Sequence, residues 1–446
     1  MPHRTSRRTF IKTAAAAGAG LSLSATSWSQ VLGANTRLRV ASVGTGGKGW
    51  SDLVNVAASP HVEVVALCNI DEGPDHLGRA ATKYPKATTY TDWRKLLDAA
   101  KNIDAVIVST PDHMHAPISM AAMQLGKHIY CQKPLTHTVF EARQMQQAAK
   151  RAGVVTQMGN QIQSHVAYRT AVALVHQGAI GKVSEVHSWQ SGGMRWLMEE
   201  DRPAGTDPIP KVVHWDNWLG VAPERPYKTK IYHPFNWRGW QDFSNGQLGD
   251  FGCHILDPVF MSLGLTSPRT IRAEAPPINK EVWTKSATVF YEFPGTSRTA
   301  GDTLPLTWYE GEGHKPALEA LGLPAGFKLP GSGSLLKGDQ GSLLIPHVAN
   351  PQLLPGDKFA DFKLPDVGAR DHYVSWADAC RGEGKTTSHF DYAGPLTEAV
   401  LLGTVAIRLP QEKLDWDAAA LKVKNSAKAT ALLTKPYRAG WEVKWG

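Results

Sequence analysis

Cysteine is scarce, with Cys68, Cys131, Cys253 and Cys380 the four in 446 residues. They form no C-x-x-C and no short zinc-type spacing, so neither a disulfide framework nor a structural zinc is expected. Excess charge of one sign is also scarce. Lys and Arg number 48 against 40 Asp and Glu, but Arg4, Arg7, Arg8 and Lys12 fall before residue 35, where no acid occurs. The remainder carries 44 basic against 40 acidic side chains, a balance of +4, with no basic stretch of five or more residues. Such a surface offers no electrostatic case for a nucleic acid or an anionic membrane as partner. No internal repeat is visible. What is present, 42% hydrophobic and 20% charged residues, matches an ordinary folded enzyme rather than a disordered chain. The length allows two or three domains.

Residues 6–12 read Ser-Arg-Arg-Thr-Phe-Ile-Lys, and an Ala/Gly/Leu run follows from Ala14 to Leu23, the layout of an export signal. The apolar run is about half the roughly 20 residues a spanning helix needs, so no stable membrane anchor is expected. The segment resembles a twin-arginine signal. That resemblance implies passage through the twin-arginine export machinery, a route for folded and often cofactor-loaded proteins, and a periplasmic or other extracytoplasmic location. Residues 1–34 are assigned to this signal.

Residues 35–160 read as a dinucleotide-binding Rossmann domain. A short β-rich run, Leu38 to Val43, leads into Gly44-Thr45-Gly46-Gly47-Lys48-Gly49, and Trp50, Leu53, Val54 and Ala57 follow at helical spacing. In this strand, glycine turn and helix, Gly44 makes the tight turn, Gly46 admits a pyrophosphate and Gly49 lets the helix pack closely. A second apolar strand, Val62 to Ile70, ends at Asn69-Ile70-Asp71, where a ribose-binding group belongs. Asp71 is equally well placed as a helix N-cap ahead of Glu72 to Ala81. Two further strands, Ala105 to Ser109 and His128 to Tyr130, end at Thr110-Pro111-Asp112-His113-Met114-His115 and at Cys131-Gln132-Lys133-Pro134. Loops at the carboxyl ends of parallel strands are where such a fold holds ligands.

The glycine turn, the Pro111-x-x-x-His115 loop and Gln132-Lys133-Pro134 together resemble the Gfo/Idh/MocA family of glucose-fructose oxidoreductase, inositol dehydrogenase and MocA-like proteins. That family usually reads Glu-Lys-Pro at the last site, so Gln132 departs from it. Asn69 is a second departure, because many NAD-using relatives carry Asp there. The resemblance implies NAD, with NADP left open: an uncharged Asn69 would not repel a 2′-phosphate, and Lys48 would attract one.

Residues 161–446 change texture to longer loops and alternating strands. Ala287, Val289, Tyr291 and Phe293 share one face and Thr288, Phe290 and Glu292 the other, the period of a strand. Similar runs at Lys182 to Gln190, Arg269 to Ala275, Pro305 to Tyr309 and Gly341 to Ile345 predict an α+β domain with a large, mostly antiparallel, open-faced sheet. Its open face is expected to pair with a second copy, giving a homo-oligomer. Gly311 to Gly368 is rich in Gly and Pro and reads as a lid or a peripheral wrap.

Within Gly246 to Asp257, a helix would place Asp250, His254 and Asp257 at i, i+4 and i+7 on one face. A histidine supported by a carboxylate suits oxidation of a secondary alcohol, whose hydroxyl proton must leave as the carbon gives up hydride. The resemblance implies His254 as base, Asp250 as its orienter or a substrate ligand, and Lys133 as the cationic donor at the same hydroxyl. Asp257 reads as structural. His113, His115, Asp250 and His254 also offer the imidazole and carboxylate ligands of a metal site. The resembled family works without metal, and the two loop histidines find an ordinary place beneath the nicotinamide.

Six of the fifteen tryptophans, Trp189, Trp196, Trp215, Trp218, Trp237 and Trp240, fall within 52 residues, with Tyr227, Tyr232 and His233. Most are expected in the core, but Trp237, Arg238 and Trp240, just ahead of the Asp250–His254 helix, are candidates for a carbohydrate cleft. The expected activity is NAD(P)-dependent hydride transfer to or from a carbon of a sugar or cyclitol. Outside the cytoplasm no nicotinamide pool recycles a released cofactor, so it is expected to stay bound and be reset on the protein. One alternative is a redox-assisted glycoside hydrolase that oxidises, eliminates, hydrates and reduces. Another is a carbohydrate or nucleotide sensor without turnover.

Overall fold

A computed structural model describes residues 37–194 and 201–445. The export signal and Trp196 lie outside the described residues. The fold class expected from the sequence is found: a Rossmann sheet followed by an α/β part built on a mostly antiparallel sheet.

The first sheet has six parallel strands in the order β3-β2-β1-β4-β5-β6. They are β1 (Leu38–Val43), β2 (Val62–Cys68), β3 (Thr88–Tyr90), β4 (Ala105–Val108), β5 (His128–Cys131) and β6 (Thr156–Met158). β4 and β5 are buried throughout, as strands covered by helices on both faces must be. The helices are α1 (Gly47–Val56), α2 (Leu77–Lys83), α3 (Trp93–Asp98), α4 (His115–Gln124) and α5 (Val139–Ala152). Strand order reverses between β1 and β4, and a crevice opens at the carboxyl ends of these strands.

The second sheet has nine strands, ordered β13-β12-β11-β7-β10-β9-β8-β14-β15. They are β7 (Val183–Gln190), β8 (Thr270–Glu274), β9 (Ala287–Pro294), β10 (Thr303–Glu310), β11 (Ser332–Gly338), β12 (Gly341–Pro346), β13 (Gln352–Leu354), β14 (Leu414–Asp417) and β15 (Lys422–Val423). All neighbours are antiparallel except β7 and β10. Helices α6 (Val166–His176), α7 (Trp215–Leu219), α8 (Gly246–Ile255), α9 (Asp257–Leu263) and α10 (Leu318–Leu321) belong to this half. Helix α11 (His372–Cys380) returns to the first half, where Trp376 and Cys380 pack on Leu38, Val40, Ile107 and Tyr130. Helix α12 (Phe390–Ile407) packs on α5 and α8. Its buried Glu398 accepts two hydrogen bonds from Arg143 of α5, at 2.7 and 2.8 Å, the paired geometry that fixes both orientation and spacing.

Two expectations are corrected. The Gly/Pro-rich stretch 311–368 is not merely a wrap: besides β12, expected at Gly341 to Ile345, it contributes β11 and β13 to the sheet. Glycines at 333 and 338 cut the apolar pattern of β11 to a single pair, which conceals its periodicity. Asp257 does not continue the helix of Asp250 and His254. Pro258 lacks the N–H that would extend α8, so α8 ends at Ile255 and Asp257 opens α9. The Asp257 carboxylate is buried and accepts from Asn160 at 3.1 Å, Gln163 at 2.9 Å and Tyr392 at 2.8 Å, a set that ties α9 to α12. No helix of the described residues is long and apolar enough to cross a membrane.

Candidate active site

A cleft of about 680 Å³ lies between the two halves, and its walls include Gly44, Gly46, Gly47 and Lys48 at one end and Lys133, Asp250 and His254 at the other. The glycine turn has a conformation that side chains would block. Gly44 has φ +84°, and a Cβ there would sit 2.5 Å from the Ser109 carbonyl oxygen. Gly49 packs where a Cβ would meet the Gly44 carbonyl at 2.1 Å, whereas space around Gly47 is open. Helix α1 starts behind this turn with no side chain capping it and no acid in its first turn. Its free N–H groups and positive end suit a pyrophosphate. On the facing wall Thr110 Oγ1 is buried without a partner. The residues therefore fit a dinucleotide.

Beyond the turn, Lys133 follows β5 and reaches helix α8, where its Nζ lies 2.6 Å from both the carboxylate Oδ1 and the backbone oxygen of Asp250. Burial pushes the Asp250 carboxyl up, but the charges of Lys133 and Arg238 outweigh it and hold the group below its usual range. One turn along α8, His254 lines the cleft, and its buried Nδ1 has no hydrogen-bond partner. Burial, reinforced by the positive charge of Lys133, drives its imidazole well below the ordinary histidine value. It is therefore neutral at pH 7, with an unprotonated ring nitrogen. Asp250 accepts from Lys133 and makes no hydrogen bond to His254, so its contact is with the lysine rather than with the histidine it was expected to orient.

The remaining sequence candidates separate into those that line the cleft and those that shape it. Asn69, Thr110, Pro111, Gln132, Trp237 and Arg238 line it. Thr45 is buried beneath, accepting from the Asn69 amide at 3.2 Å. His113 and His115 are buried and bonded to backbone oxygens of Trp218, Pro134 and Thr110, so the loop histidines fix loop geometry. Trp240 is 1% exposed and packs on Tyr232 in an aromatic cluster. Lys48 is engaged by Asp52 at 2.8 Å and by the Tyr373 hydroxyl at 2.8 Å. Asp71 is bound by His233 and the Gly73 N–H and is not among the cleft-lining side chains.

Gln132 has a local explanation. Its amide donates to the buried Asp52 at 2.8 Å, as does Ser109 at 2.8 Å. A glutamate there would set a second carboxylate against a buried one. Sequence reasoning missed Asp52, although it sits one helical turn after Lys48, and it missed Asp112. Asp112 lines the cleft and accepts from the Asn245 N–H at 3.1 Å. Burial, with the nearby Asp250 charge, pushes its carboxyl up to about 7.

Two profiles of one family match the chain: "Oxidoreductase family, NAD-binding Rossmann fold" over residues 38–160 and "Oxidoreductase family, C-terminal alpha/beta domain" over residues 165–299. The levoglucosan dehydrogenase of Pseudarthrobacter phenanthrenivorans is 33% identical over 126 residues, covering 28% of this chain and 31% of that protein. The alpha-N-acetylgalactosaminidase of Shewanella oneidensis is 30% identical over 229 residues, covering 44% and 48%. The matches thus span about a third to a half of the length of these relatives. The inositol dehydrogenase homolog of Azotobacter vinelandii, solved with NADH and myo-inositol, superposes with a TM-score of 0.57 at 17% identity over 86% of this chain and 98% of that one. That likeness is one of fold.

Gly44→Ala is expected to weaken NAD binding by at least about tenfold in calorimetry, because the new Cβ meets the Ser109 carbonyl. Asp112 is neutral below about pH 7 and anionic above it. A carboxylate gained on the cleft wall favours the positive oxidised nicotinamide over the neutral reduced one. Affinity for NAD+ relative to NADH should therefore rise as pH passes through 7, by up to about tenfold, and Asp112→Asn should flatten the profile.

Proposed function

This chain belongs to the Gfo/Idh/MocA oxidoreductase family, and on that premise we propose that it moves hydride to or from a ring carbon of a sugar or cyclitol on NAD that stays bound. The observation that carries the proposal is the convergence of the Lys133–Asp250 pair and His254, whose Nδ1 has no hydrogen-bond partner, on one cleft with the glycine turn. Bound NAD supplies the hydride acceptor or donor. Lys133 donates to the reacting hydroxyl oxygen and favours negative charge on it. Asp250 holds that ammonium in place through its carboxylate and backbone oxygens. His254, neutral near pH 7, takes the hydroxyl proton. Trp237 borders the cleft with the Arg238 guanidinium over its ring, 4.3 Å from the centroid, so the two form one wall of the sugar site. Burial of these groups keeps bulk water from competing for the same oxygen.

Export through the twin-arginine machinery belongs to the same proposal and rests on the Ser6-to-Lys12 segment and the apolar run after it. So does pairing of two copies through the open face of the second sheet. A protein carried out of the cytoplasm has to reset its cofactor itself, which paired oxidation and reduction of two sugars would do. A second reading, redox-assisted glycoside hydrolysis, is favoured by the likeness to an alpha-N-acetylgalactosaminidase. There His254 would also remove the proton from the carbon beside the new carbonyl, which that carbonyl acidifies.

Purified protein mixed with a sugar panel should show a change in the reduced-nicotinamide absorbance band. Nitrophenol release from an aryl glycoside without net cofactor change would select the hydrolytic reading, and binding with neither response would leave a sensor and refute both. Lys133→Ala and His254→Ala should each retain NAD and lose about 10²- to 10³-fold in kcat. Wild-type turnover in either variant would overturn the assigned roles.

A further inference from the structure

We propose that Asp71, His76 and His233 form a binding site for one divalent transition-metal ion of the zinc type. The three donor atoms lie within 4.8 Å of one another. His233 Nε2 is 2.7 Å and His76 Nε2 3.5 Å from the same Asp71 oxygen, Oδ2. Zn–N and Zn–O bonds of about 2.0–2.2 Å in tetrahedral arrangement separate donors by about 3.3 Å. The His76 separation already matches, and the His233 contact must open by about 0.6 Å.

The donor set is specific in its chemistry. Two imidazoles with one carboxylate suit zinc, iron, cobalt or nickel and disfavour magnesium and calcium, which prefer oxygen throughout. The carboxylate is pre-oriented, because its other oxygen, Oδ1, accepts from the Gly73 N–H at 2.8 Å, the kind of outer contact that fixes a ligand.

The ligands come from two segments that meet at the cleft. Asp71 and His76 follow β2, whereas His233 comes from segment 207–243, which holds the aromatic cluster. The segments are already joined through a bridge between Asp71 and Val213, with the His214 N–H donating to the Ile70 oxygen at 2.8 Å. His76 and His233 both line the cleft beside Gly46. An ion here would pin the aromatic segment to the nucleotide half.

The test uses chelator-stripped full-length protein, titrated with Zn²⁺ by calorimetry and with Co²⁺ by visible absorption, without sugar. One equivalent should bind, with Co²⁺ ligand-field bands, and Asp71→Asn or His233→Ala should weaken affinity by at least about tenfold. Circular dichroism checks that each variant folds. His76→Ala alters the most exposed of the three side chains, 22% exposed, and gives the same reading if Asp71→Asn does not fold. Absence of saturable binding, or equal affinity in wild type and every folded variant, overturns the proposal. Because the readout is metal binding alone, its failure is distinct from failure of the hydride-transfer reading.

Discussion

The contact on which the site depends is the ion pair between Lys133, at the end of the Rossmann strand β5, and Asp250, on helix α8 of the second half. Each residue alone would be a poorly placed charge in a largely buried wall. Together they join the two halves of the chain where the cleft is deepest in chemistry, and they set His254, one helical turn away, over the same space. A pair of this kind contributes position more than stability, since desolvation offsets much of its attraction. Its value is that a cation meant for a substrate oxygen is already held and need not reorganise when charge develops.

Electrostatics around the pair are graded by burial. His254 is driven neutral and Asp250 is held anionic, although they are neighbours on one helix. The difference arises because burial, aided by the Lys133 charge, disfavours a proton on the histidine, whereas contact with Lys133 outweighs the burial of Asp250. Asp112, facing Asp250 without a cation in contact, is pushed the other way. Three titratable groups in one cleft thus take three protonation behaviours from distance and solvent access alone. The Asp52 network under the glycine turn follows the same logic. Its carboxylate is surrounded by Lys48, Ser109 and Gln132, so a glutamine suits the position at which relatives carry glutamate.

The glycine turn and the first four long strands of the Rossmann half were legible because local pattern dictates them: a tight turn needs glycine, and buried parallel strands need continuous apolar runs. Lys133 and Asp250 were legible as candidates, but not as a bonded pair, since 117 residues separate them and only the fold decides whom a lysine meets. The division between Asp250 and Asp257 comes from Pro258, one residue beyond the run in which helical spacing was read. Strand β11 escaped because Gly333 and Gly338 break its pattern, and β13 because three residues show no period; partner strands supply the order of both. Trp240 and Trp237 look alike in sequence; one is sealed among aromatic rings and the other borders the cleft, which neighbouring residues could not reveal. Residues 71, 76 and 233 carry no shared motif, and their meeting is wholly tertiary.

The central claim is that hydride passes between a carbohydrate carbon and a nicotinamide held in this cleft. The most direct test is isotope transfer: native protein with bound NAD is mixed with C-deuterated sugars and cyclitols, quenched, and its cofactor weighed by mass spectrometry. The account predicts deuterium on the nicotinamide ring with at least one sugar, and loss of that label in Lys133→Ala. Cofactor that stays unlabelled across the panel, or a label that survives the substitution undiminished, would contradict it.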